Sequence, residues 1–393
     1  MLKNNYLHRE GRSKDASGTQ IVEVQPYLSE KQQEIPDLSS ISQQLTVPFH
    51  LPLLERPILI VITTAVVSAL YLLFCRRSDY SACKKSFHGF NVLITGGSSG
   101  IGLSLAKLFY RAGANVTIVA RDRKKLESAK EAIKCVKDGE NNVFILSTDL
   151  TSDYDVLNEI FIKHVALYGP IDILINCAGY AVARKFLDTS TDDIKGMLQT
   201  NYLSAVHVTR ILLPSMLDQK VHQTHERRIA FVCSLASQVG VYGYAAYTGS
   251  KYALRGFAEV LEMELGYKGP YVTIAFPPDT DTPGYARENT GKPAATKEIS
   301  ATTGLASPDD VAKSIYLDIV NGKLVSTYGL EGALLSWTTA GILPPVSVRC
   351  RCRSDFLRGI IGACLEMVAA TPLRFIGIAY AFWMRYISFR HNS

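Results

Sequence analysis

The sequence predicts an α/β fold built on a doubly wound parallel sheet. Short apolar runs such as Val92–Thr95 and Ile229–Cys233 have the unbroken hydrophobicity of parallel strands that are buried on both faces. These runs alternate with longer stretches of helical periodicity, as a parallel sheet with crossover helices requires. A glycine-rich turn, Thr95–Gly102, joins the first such strand to the first helix. One domain of this type can occupy most of the 393 residues.

The strands and helices can be placed in order along the chain. Strands are predicted at Val92–Thr95, at Asn115–Val119, up to Leu150, up to Asn176, at Ile229–Cys233, at Val272–Phe276 and near Leu324–Tyr328. Helices are predicted at Lys124–Ile133, Val156–Val165, Ile194–Met216, Tyr244–Leu265 and Pro308–Val320.

The glycine turn has the chemistry of a dinucleotide site. Gly96 permits the tight turn, Gly100 lets the backbone approach a pyrophosphate, and Gly102 lets the helix pack on the strand. The backbone amides at the start of the following helix attract the anion. The predicted fold is therefore of the Rossmann type. The residues of this turn that are expected at the dinucleotide are Gly96, Ser98, Ser99, Gly100, Ile101 and Gly102.

The charges after the second strand favour NADPH over NADH. Enzymes that use NADH usually carry an acidic residue at the end of this strand, where the chain has Ala120. Arg121 follows directly and Lys125 comes one helical turn later, so cations are available for a 2′-phosphate. The alternative is that these residues are only the solvated start of a helix.

Three polar residues have the types and spacing of a carbonyl-reducing site. Tyr247 and Lys251 share one face of a predicted helix. A free tyrosine has a pKa near ~10, and a nearby ammonium lowers it, so we expect Lys251 to activate Tyr247 as a proton donor. Ser234 follows a buried strand and can hydrogen-bond a carbonyl oxygen. Ser237 is a rival for that role but lies beyond the strand end.

Taken together, these motifs resemble the short-chain dehydrogenase/reductase family over residues 90–325. The resemblance implies that Asn201 completes a catalytic tetrad with Ser234, Tyr247 and Lys251 by holding a water near the lysine. It also implies that Lys251 binds the nicotinamide ribose and that Thr282 contacts the nicotinamide. The other cofactor contacts that it implies are Asp149, Leu150, Asn176, Ala178, Gly179, Tyr247 and Pro277.

Three features together are similar to one subfamily, the 3-ketosphinganine (3-ketodihydrosphingosine) reductases: the string Pro277–Gly284, Asn-Cys-Ala-Gly at 176–179, and the apolar segments expected at a membrane. This resemblance implies NADPH-dependent reduction of a long-chain lipid ketone in sphingolipid biosynthesis, at the cytosolic face of the endoplasmic reticulum membrane. Two other functions stay open, a membrane dehydrogenase of the same family acting on a steroid or retinoid, and a non-catalytic NADP-binding scaffold. The family resemblance also suggests a homo-oligomer that packs through the helices carrying Asn201 and Tyr247.

The segment before the predicted catalytic domain, 90–328, differs from it in composition. Residues 1–54 are polar and lack periodicity, which is typical of a disordered tail. Residues 57–75 are 19 consecutive uncharged residues, enough to cross a bilayer as a transmembrane helix, with a buried helix as the alternative. Four basic residues follow within the next ten, so the positive-inside rule places the catalytic domain in the cytosol.

Residues 330–390 form a second apolar region, which we expect to be helical and membrane-associated. Arginines at 349, 351 and 353 interrupt it and would fall on the wrong side of a simple crossing. A re-entrant or interfacial hairpin that guides a lipid toward Tyr247 is therefore expected. An extra pair of packed helices is the alternative.

Composition argues against nucleic-acid and metal sites. The net charge of +6 comes from dispersed residues and from arginines beside apolar segments, which suits an anionic membrane surface, and no nucleic-acid motif occurs. The eight cysteines form no paired set of metal ligands, so free thiols and no metal are expected.

Overall fold

The computed structural model describes residues 86–136, 141–218, 226–266, 269–302, 304–339, 374 and 377–391, and two short strands near the N-terminus. These two strands, Ser13–Lys14 and Gln20–Ile21, pair antiparallel within a separate compact unit. The predicted anchor, residues 57–75, and most of the predicted tail, 1–54, lie outside the described residues. Within the described part of the chain, no helix is both long and apolar enough to cross a bilayer.

Seven parallel strands form the central sheet: β1 (Asn91–Thr95), β2 (Asn115–Ala120), β3 (Val143–Ser147), β4 (Ile173–Asn176), β5 (Arg228–Val232), β6 (Tyr271–Phe276) and β7 (Val325–Thr327). Their order across the sheet is β3-β2-β1-β4-β5-β6-β7, which confirms the predicted doubly wound parallel sheet. The order reverses between β1 and β4, and folds of this type bind ligands in the crevice at such a switch point.

The helices follow the strands as the sequence predicts, with one interruption. Their bounds are α1 (Gly100–Arg111), α2 (Arg123–Lys134), α3 (Tyr154–Tyr168), α4 (Thr191–Leu198), α5 (Ser204–Leu217), α6 (Ala245–Leu265), α7 (Pro283–Glu288), α8 (Ala294–Ala301), α9 (Pro308–Val320) and α10 (Gly329–Thr339). Residues 377–390 form a further helix.

Apolar side chains cover both faces of the sheet. One layer contains α1, α2 and α9, and its core includes Phe109 and Ile315. The other layer contains α3, α5 and α6, with Phe161, Leu212 and Leu261 buried in it. Because the strands are buried on both sides, they need the continuous apolar runs that the sequence shows.

Two predicted boundaries differ from the structure. The third strand ends at Ser147, so Asp149 and Leu150 lie in the turn after it. The helix predicted over Ile194–Met216 is divided into α4 and α5 by a π-helical segment, Gln199–Leu203. Such a segment adds a residue to one helical turn and is often found at functional sites. This π-helical segment carries Asn201.

The described part of the C-terminal region packs on the sheet domain. Met384 and Ile387 of helix 377–390 are buried against Ile299 of α8. Arg390 of the same helix forms an ion pair with Glu298. These contacts support the packed-helix alternative for this part of the chain. The middle of the predicted hairpin, 340–373, lies outside the described residues.

Candidate active site

A cavity of about 1160 Å³ lies at the carboxyl edge of the sheet, at the switch point between β1 and β4. Its lining includes most of the residues predicted to bind the cofactor or to act in catalysis. These lining residues are Gly96, Ser98, Ser99, Gly100, Ile101, Gly102, Arg121, Lys125, Asp149, Leu150, Ala178, Gly179, Ser234, Tyr247, Lys251, Pro277 and Thr282. Two predicted residues, Asn176 and Asn201, are buried and do not line it.

Tyr247 and Ser234 both line the cavity, and their side chains are close enough for Ser234 to affect the pKa of the Tyr247 phenol. Tyr247 lies in the first turn of α6, and Ser234 lies just beyond the end of β5. The Ser234 hydroxyl accepts a hydrogen bond from the backbone amide of Ala236 at 3.1 Å, which leaves its own hydrogen available for donation. Both hydroxyls therefore face one cavity and can donate to the same carbonyl oxygen.

The geometry favours Ser234 over its rival Ser237. The Ser237 hydroxyl is fully buried and donates to the Ser234 carbonyl at 2.6 Å. It does not line the cavity. Its bond fixes the turn that presents Ser234.

Burial, rather than a neighbouring cation, has the largest effect on the pKa of the Tyr247 phenol. Burial raises the pKa of the phenol, the hydrogen bond with Ser234 opposes that rise, and two neighbouring carboxylates add to it. Lys251 is not among the groups that lower this pKa, so the predicted activation of Tyr247 by the ammonium is not confirmed. Lys251 Nζ instead donates to the Val232 carbonyl at 2.8 Å and lies 6.0 Å from the Tyr247 ring centroid. A raised pKa keeps the phenol protonated at neutral pH, which suits a proton donor.

Asn201 holds the backbone beside the lysine. Its side-chain oxygen accepts from the Tyr180 amide at 2.9 Å, and its side-chain nitrogen donates to the Tyr180 carbonyl and the Ser250 hydroxyl, each at 2.9 Å. These bonds tie the π-helical segment to α6 and to the loop after β4. The residue acts here as a positioning group, and its role in holding a water stays a prediction.

Gly179 allows Asn201 and Lys251 to come together. A Cβ atom at Gly179 would lie 3.0 Å from Asn201 Oδ1 and 3.3 Å from Lys251 Nζ. Both distances are shorter than ordinary van der Waals contact, and burial lowers the pKa of the lysine in this confined space. A larger residue at this position would therefore require Asn201 or Lys251 to shift by a few tenths of an ångström.

The glycine turn fits the pyrophosphate of a nicotinamide dinucleotide. Gly96 and Gly100 have φ values of 68° and 53°, which favour glycine. A Cβ at Gly100 would lie 2.8 Å from the methyl group of Thr282, and one at Gly96 would lie 2.9 Å from the Ala178 backbone. The first turn of α1 contains no acidic residue, so its backbone amides present an unopposed positive end to an anion.

Two cations line the part of the cavity near the end of β2. Arg121 has a side chain that is 73% exposed and lies 3.9 Å from Asp149, and Lys125 Nζ lies 3.9 Å from Asp122. The Asp122 carboxylate accepts the Lys125 backbone amide at 3.1 Å and so caps α2. One oxygen of that acid is therefore engaged in the helix start.

Asn176 is turned into the protein interior instead of toward a cofactor. Its side-chain nitrogen donates to the Thr209 hydroxyl of α5 at 3.0 Å. The turn that follows is held by Thr95, whose hydroxyl accepts the amides of Cys177 and Ala178 at 3.0 and 3.1 Å. The sequence pattern did not predict this role of Thr95.

The sequence pattern also missed a buried charged cluster at the cavity. Lys292 Nζ lies 3.5 Å from Asp279 Oδ2 and 3.2 Å from Glu288 Oε1. The hydroxyl of Tyr244 donates to the same Glu288 oxygen. The only sequence signal was the four-residue spacing of Glu288 and Lys292, which occurs often by chance.

The rest of the lining is largely apolar. Val182, Tyr285 and Ile299 are among the apolar side chains that line the cavity. Helix 377–390 adds Tyr380 and Met384, which the sequence assigned only to a general membrane region. An apolar chamber therefore adjoins the Tyr247 and Ser234 hydroxyls.

Comparison with known proteins agrees with this geometry. The sequence pattern of the family described as short chain dehydrogenase matches residues 90–293. A 3-dehydrosphinganine reductase of Danio rerio is 40% identical over 291 residues, 74% of this chain and 86% of that protein. A 3-ketodihydrosphingosine reductase of Bos taurus is 38% identical with the same coverage, and the Arabidopsis thaliana 3-dehydrosphinganine reductase TSC10A is 37% identical over 75% of this chain and 83% of its own.

The fold is also found among solved structures. A short chain dehydrogenase/reductase family protein matches with a TM-score of 0.50 and 23% identity, over 62% of this chain and 95% of that one. At this identity the likeness concerns the fold alone. Membership of a family is shown instead by the match of the family pattern and by the identity to the relatives. This chain belongs to the short-chain dehydrogenase/reductase family.

Proposed function

We propose that this protein is an NADPH-dependent reductase that converts 3-ketosphinganine to sphinganine in sphingolipid biosynthesis. The observation that carries the proposal is that Tyr247 and Ser234 line one cavity together with the glycine turn and an apolar chamber. A nicotinamide dinucleotide and a long aliphatic ketone both find suitable surfaces there. The names of the relatives in animals and plants support this substrate.

The residues of the chain bind the ketone and move its proton. The cofactor, when bound, supplies the hydride. The hydroxyls of Ser234 and Tyr247 donate to the ketone oxygen, which orients and polarises the carbonyl. The Tyr247 proton then passes to this oxygen as it becomes a hydroxyl. Lys251 lines the same cavity, where its Nζ donates to the Val232 carbonyl, and it would bind the nicotinamide ribose.

The preference for NADPH rests on the cations after β2. Arg121, Asp122 and Lys125 all line the cavity, but one carboxylate oxygen of Asp122 is engaged in capping α2. A 2′-phosphate would gain charge-assisted hydrogen bonds from these side chains. The ribose hydroxyls of NADH would have to compete for the Asp122 carboxylate with the Lys125 amide and ammonium.

Attachment to the endoplasmic reticulum membrane, with the catalytic domain 90–328 in the cytosol, is part of the proposal. The apolar segment 57–75 is the proposed anchor, after a polar tail at 1–54. Helix 377–390 supports membrane contact by the C-terminal region 330–390, since it exposes apolar side chains at a helical spacing. These exposed residues are Ile378, Phe382, Tyr386 and Phe389.

We also propose that the protein forms a homo-oligomer. Helix α6, which carries Tyr247, exposes Val260 and Met263, and the Met263 side chain is 78% exposed. Apolar side chains on a helix surface are a suitable contact for a second copy.

The function is tested by NADPH consumption with detergent-solubilised full-length protein. The substrates are 3-ketosphinganine, a ketosteroid and retinal, and Tyr247→Phe is the blank. Turnover of 3-ketosphinganine that is lost in the variant supports the proposal. Turnover of only the steroid or retinal contradicts the substrate, and binding of NADPH without turnover of any ketone contradicts the enzymatic function.

A further inference from the structure

The charged cluster beside the catalytic hydroxyls presents its acids to the cavity and keeps its cation behind them. Asp279 and Glu288 line the cavity, whereas Lys292, with a side chain 1% exposed, does not. Two carboxylates share this one ammonium, so the cluster carries an excess negative charge when both acids are ionised. Arg287 also lines the cavity, but its side chain is exposed and its Nε donates to the Pro283 carbonyl at 3.2 Å.

Glu288 has an acceptor left for a ligand. Its side chain is 13% exposed. Oε1 accepts from both the Tyr244 hydroxyl and Lys292 Nζ. Oε2 receives no hydrogen bond from the described residues. A carboxylate that is held on one side and open on the other is suited to bind a cation from the cavity.

This carboxylate lies close to the catalytic phenol. The Tyr244 ring, whose hydroxyl holds Glu288, has its centroid 5.6 Å from that of Tyr247. The charges of Glu288 and Asp279 both act on the Tyr247 phenol. A cationic group on the carbon next to a ketone bound at Tyr247 would therefore come within reach of these acids.

We propose that Glu288, supported by Asp279, binds the protonated amine next to the substrate ketone and so selects an amino ketone over a plain one. The inference rests on the proposed function, since 3-ketosphinganine carries this amine. A carboxylate that faces a mainly apolar chamber costs free energy unless it is paired with a cation or hydrogen-bonded. Neither a steroid nor retinal supplies a cation for this position. The cluster therefore distinguishes the proposed substrate from those alternatives.

The test compares two ketones of equal chain length, 3-ketosphinganine and its analogue with hydrogen in place of the amine. Glu288→Gln keeps the shape of the side chain and removes its charge. Asp281→Asn is the matched control, because Asp281 is an exposed carboxylate of the same loop that does not line the cavity. Steady-state kinetics give kcat and KM for each protein and each ketone, and NADPH binding together with the melting temperature reports whether each variant is folded.

The wild-type protein should prefer the amino ketone in kcat/KM. In Glu288→Gln the KM for the amino ketone should rise about 10- to 100-fold, the effect of losing a hydrogen bond to a charged group, while its kcat changes much less. The ratio of kcat/KM for the two ketones should fall by a similar factor, and Asp281→Asn should keep the wild-type ratio.

Three results would overturn the inference. If folded Glu288→Gln kept the wild-type ratio of kcat/KM for the two ketones, the carboxylate would not recognise the amine. Equal kcat/KM values for the two ketones in the wild-type protein would show that the amine is not recognised at all. This comparison needs no variant, so the test does not depend on the stability of Glu288→Gln. In both cases the proposed function would stand. If the wild-type protein reduced neither ketone, the proposed function would fail and the inference with it.

Discussion

Replacement of Gly179 by alanine tests whether Asn201 and Lys251 must approach each other across this residue. The new Cβ would lie 3.0 Å from Asn201 Oδ1 and 3.3 Å from Lys251 Nζ, so one or both side chains must move by a few tenths of an ångström. Misplacing a reacting group by about 1 Å can reduce the rate about 100-fold. A shift of this smaller size should lower kcat roughly tenfold. Overpacking should also reduce the free energy of unfolding by about 1–3 kcal/mol.

The matched control is Gly256→Ala in the same helix as Tyr247. A Cβ at Gly256 would meet no atom within 4 Å. Alanine is favoured over glycine in a helix, so this variant should gain roughly 0.5–1 kcal/mol of stability and keep its kcat. The assay is NADPH consumption at saturating ketone, with urea unfolding of both variants. Wild-type kcat in Gly179→Ala would refute the claim that this contact positions Lys251.

Three further predictions concern binding and stability. Asn201→Ala removes three hydrogen bonds at a fully buried site and should lower the free energy of unfolding by about 2–4 kcal/mol, measured by urea denaturation. Arg121→Ala should raise the KM for NADPH about 10- to 100-fold and leave the KM for NADH within a few-fold, and equal effects on both cofactors would contradict a 2′-phosphate contact. Burial lowers the pKa of His164 below its ordinary value of 6.5, so between these two pKa values the unfolded chain binds a proton that the folded protein does not. The free energy of unfolding should therefore fall as the pH drops from 6.5 to the pKa of the folded state. This residue contributes a slope of at most about 1.4 kcal/mol per pH unit to the free energy of unfolding. Urea unfolding at several pH values should show that His164→Gln lacks this contribution.

The parts of the site that depend on local spacing could be predicted from the sequence. The glycine turn joins a strand directly to a helix, and Tyr247 and Lys251 are one helical turn apart, so their neighbours follow from the secondary structure. Ser234 could be placed because it follows a buried strand. The sheet was predictable for the same reason, since its strands are buried on both faces and carry continuous apolar runs.

The parts that depend on side-chain direction or on distant segments could not be predicted. Asn176 ends the strand beside β1, but its amide points to Thr209, and only packing against α5 decides this. The ammonium of Lys251 was expected to act on Tyr247, yet it is held by a carbonyl of β5. Tyr244 and Glu288 are 44 residues apart, and no periodic pattern links them. The π-helical segment likewise has no local sequence signal that separates it from an ordinary helix.

The central claim is that Tyr247 protonates a sphingoid ketone while a nicotinamide cofactor reduces it. The most direct measurement uses NADPH that carries deuterium at the transferable position, full-length protein in detergent, and mass spectrometry of the lipid product. The account predicts sphinganine with a single deuterium on the carbon that was the ketone, and almost none with Tyr247→Phe. Unchanged 3-ketosphinganine with the wild-type protein, or equal product from Tyr247→Phe, would contradict it.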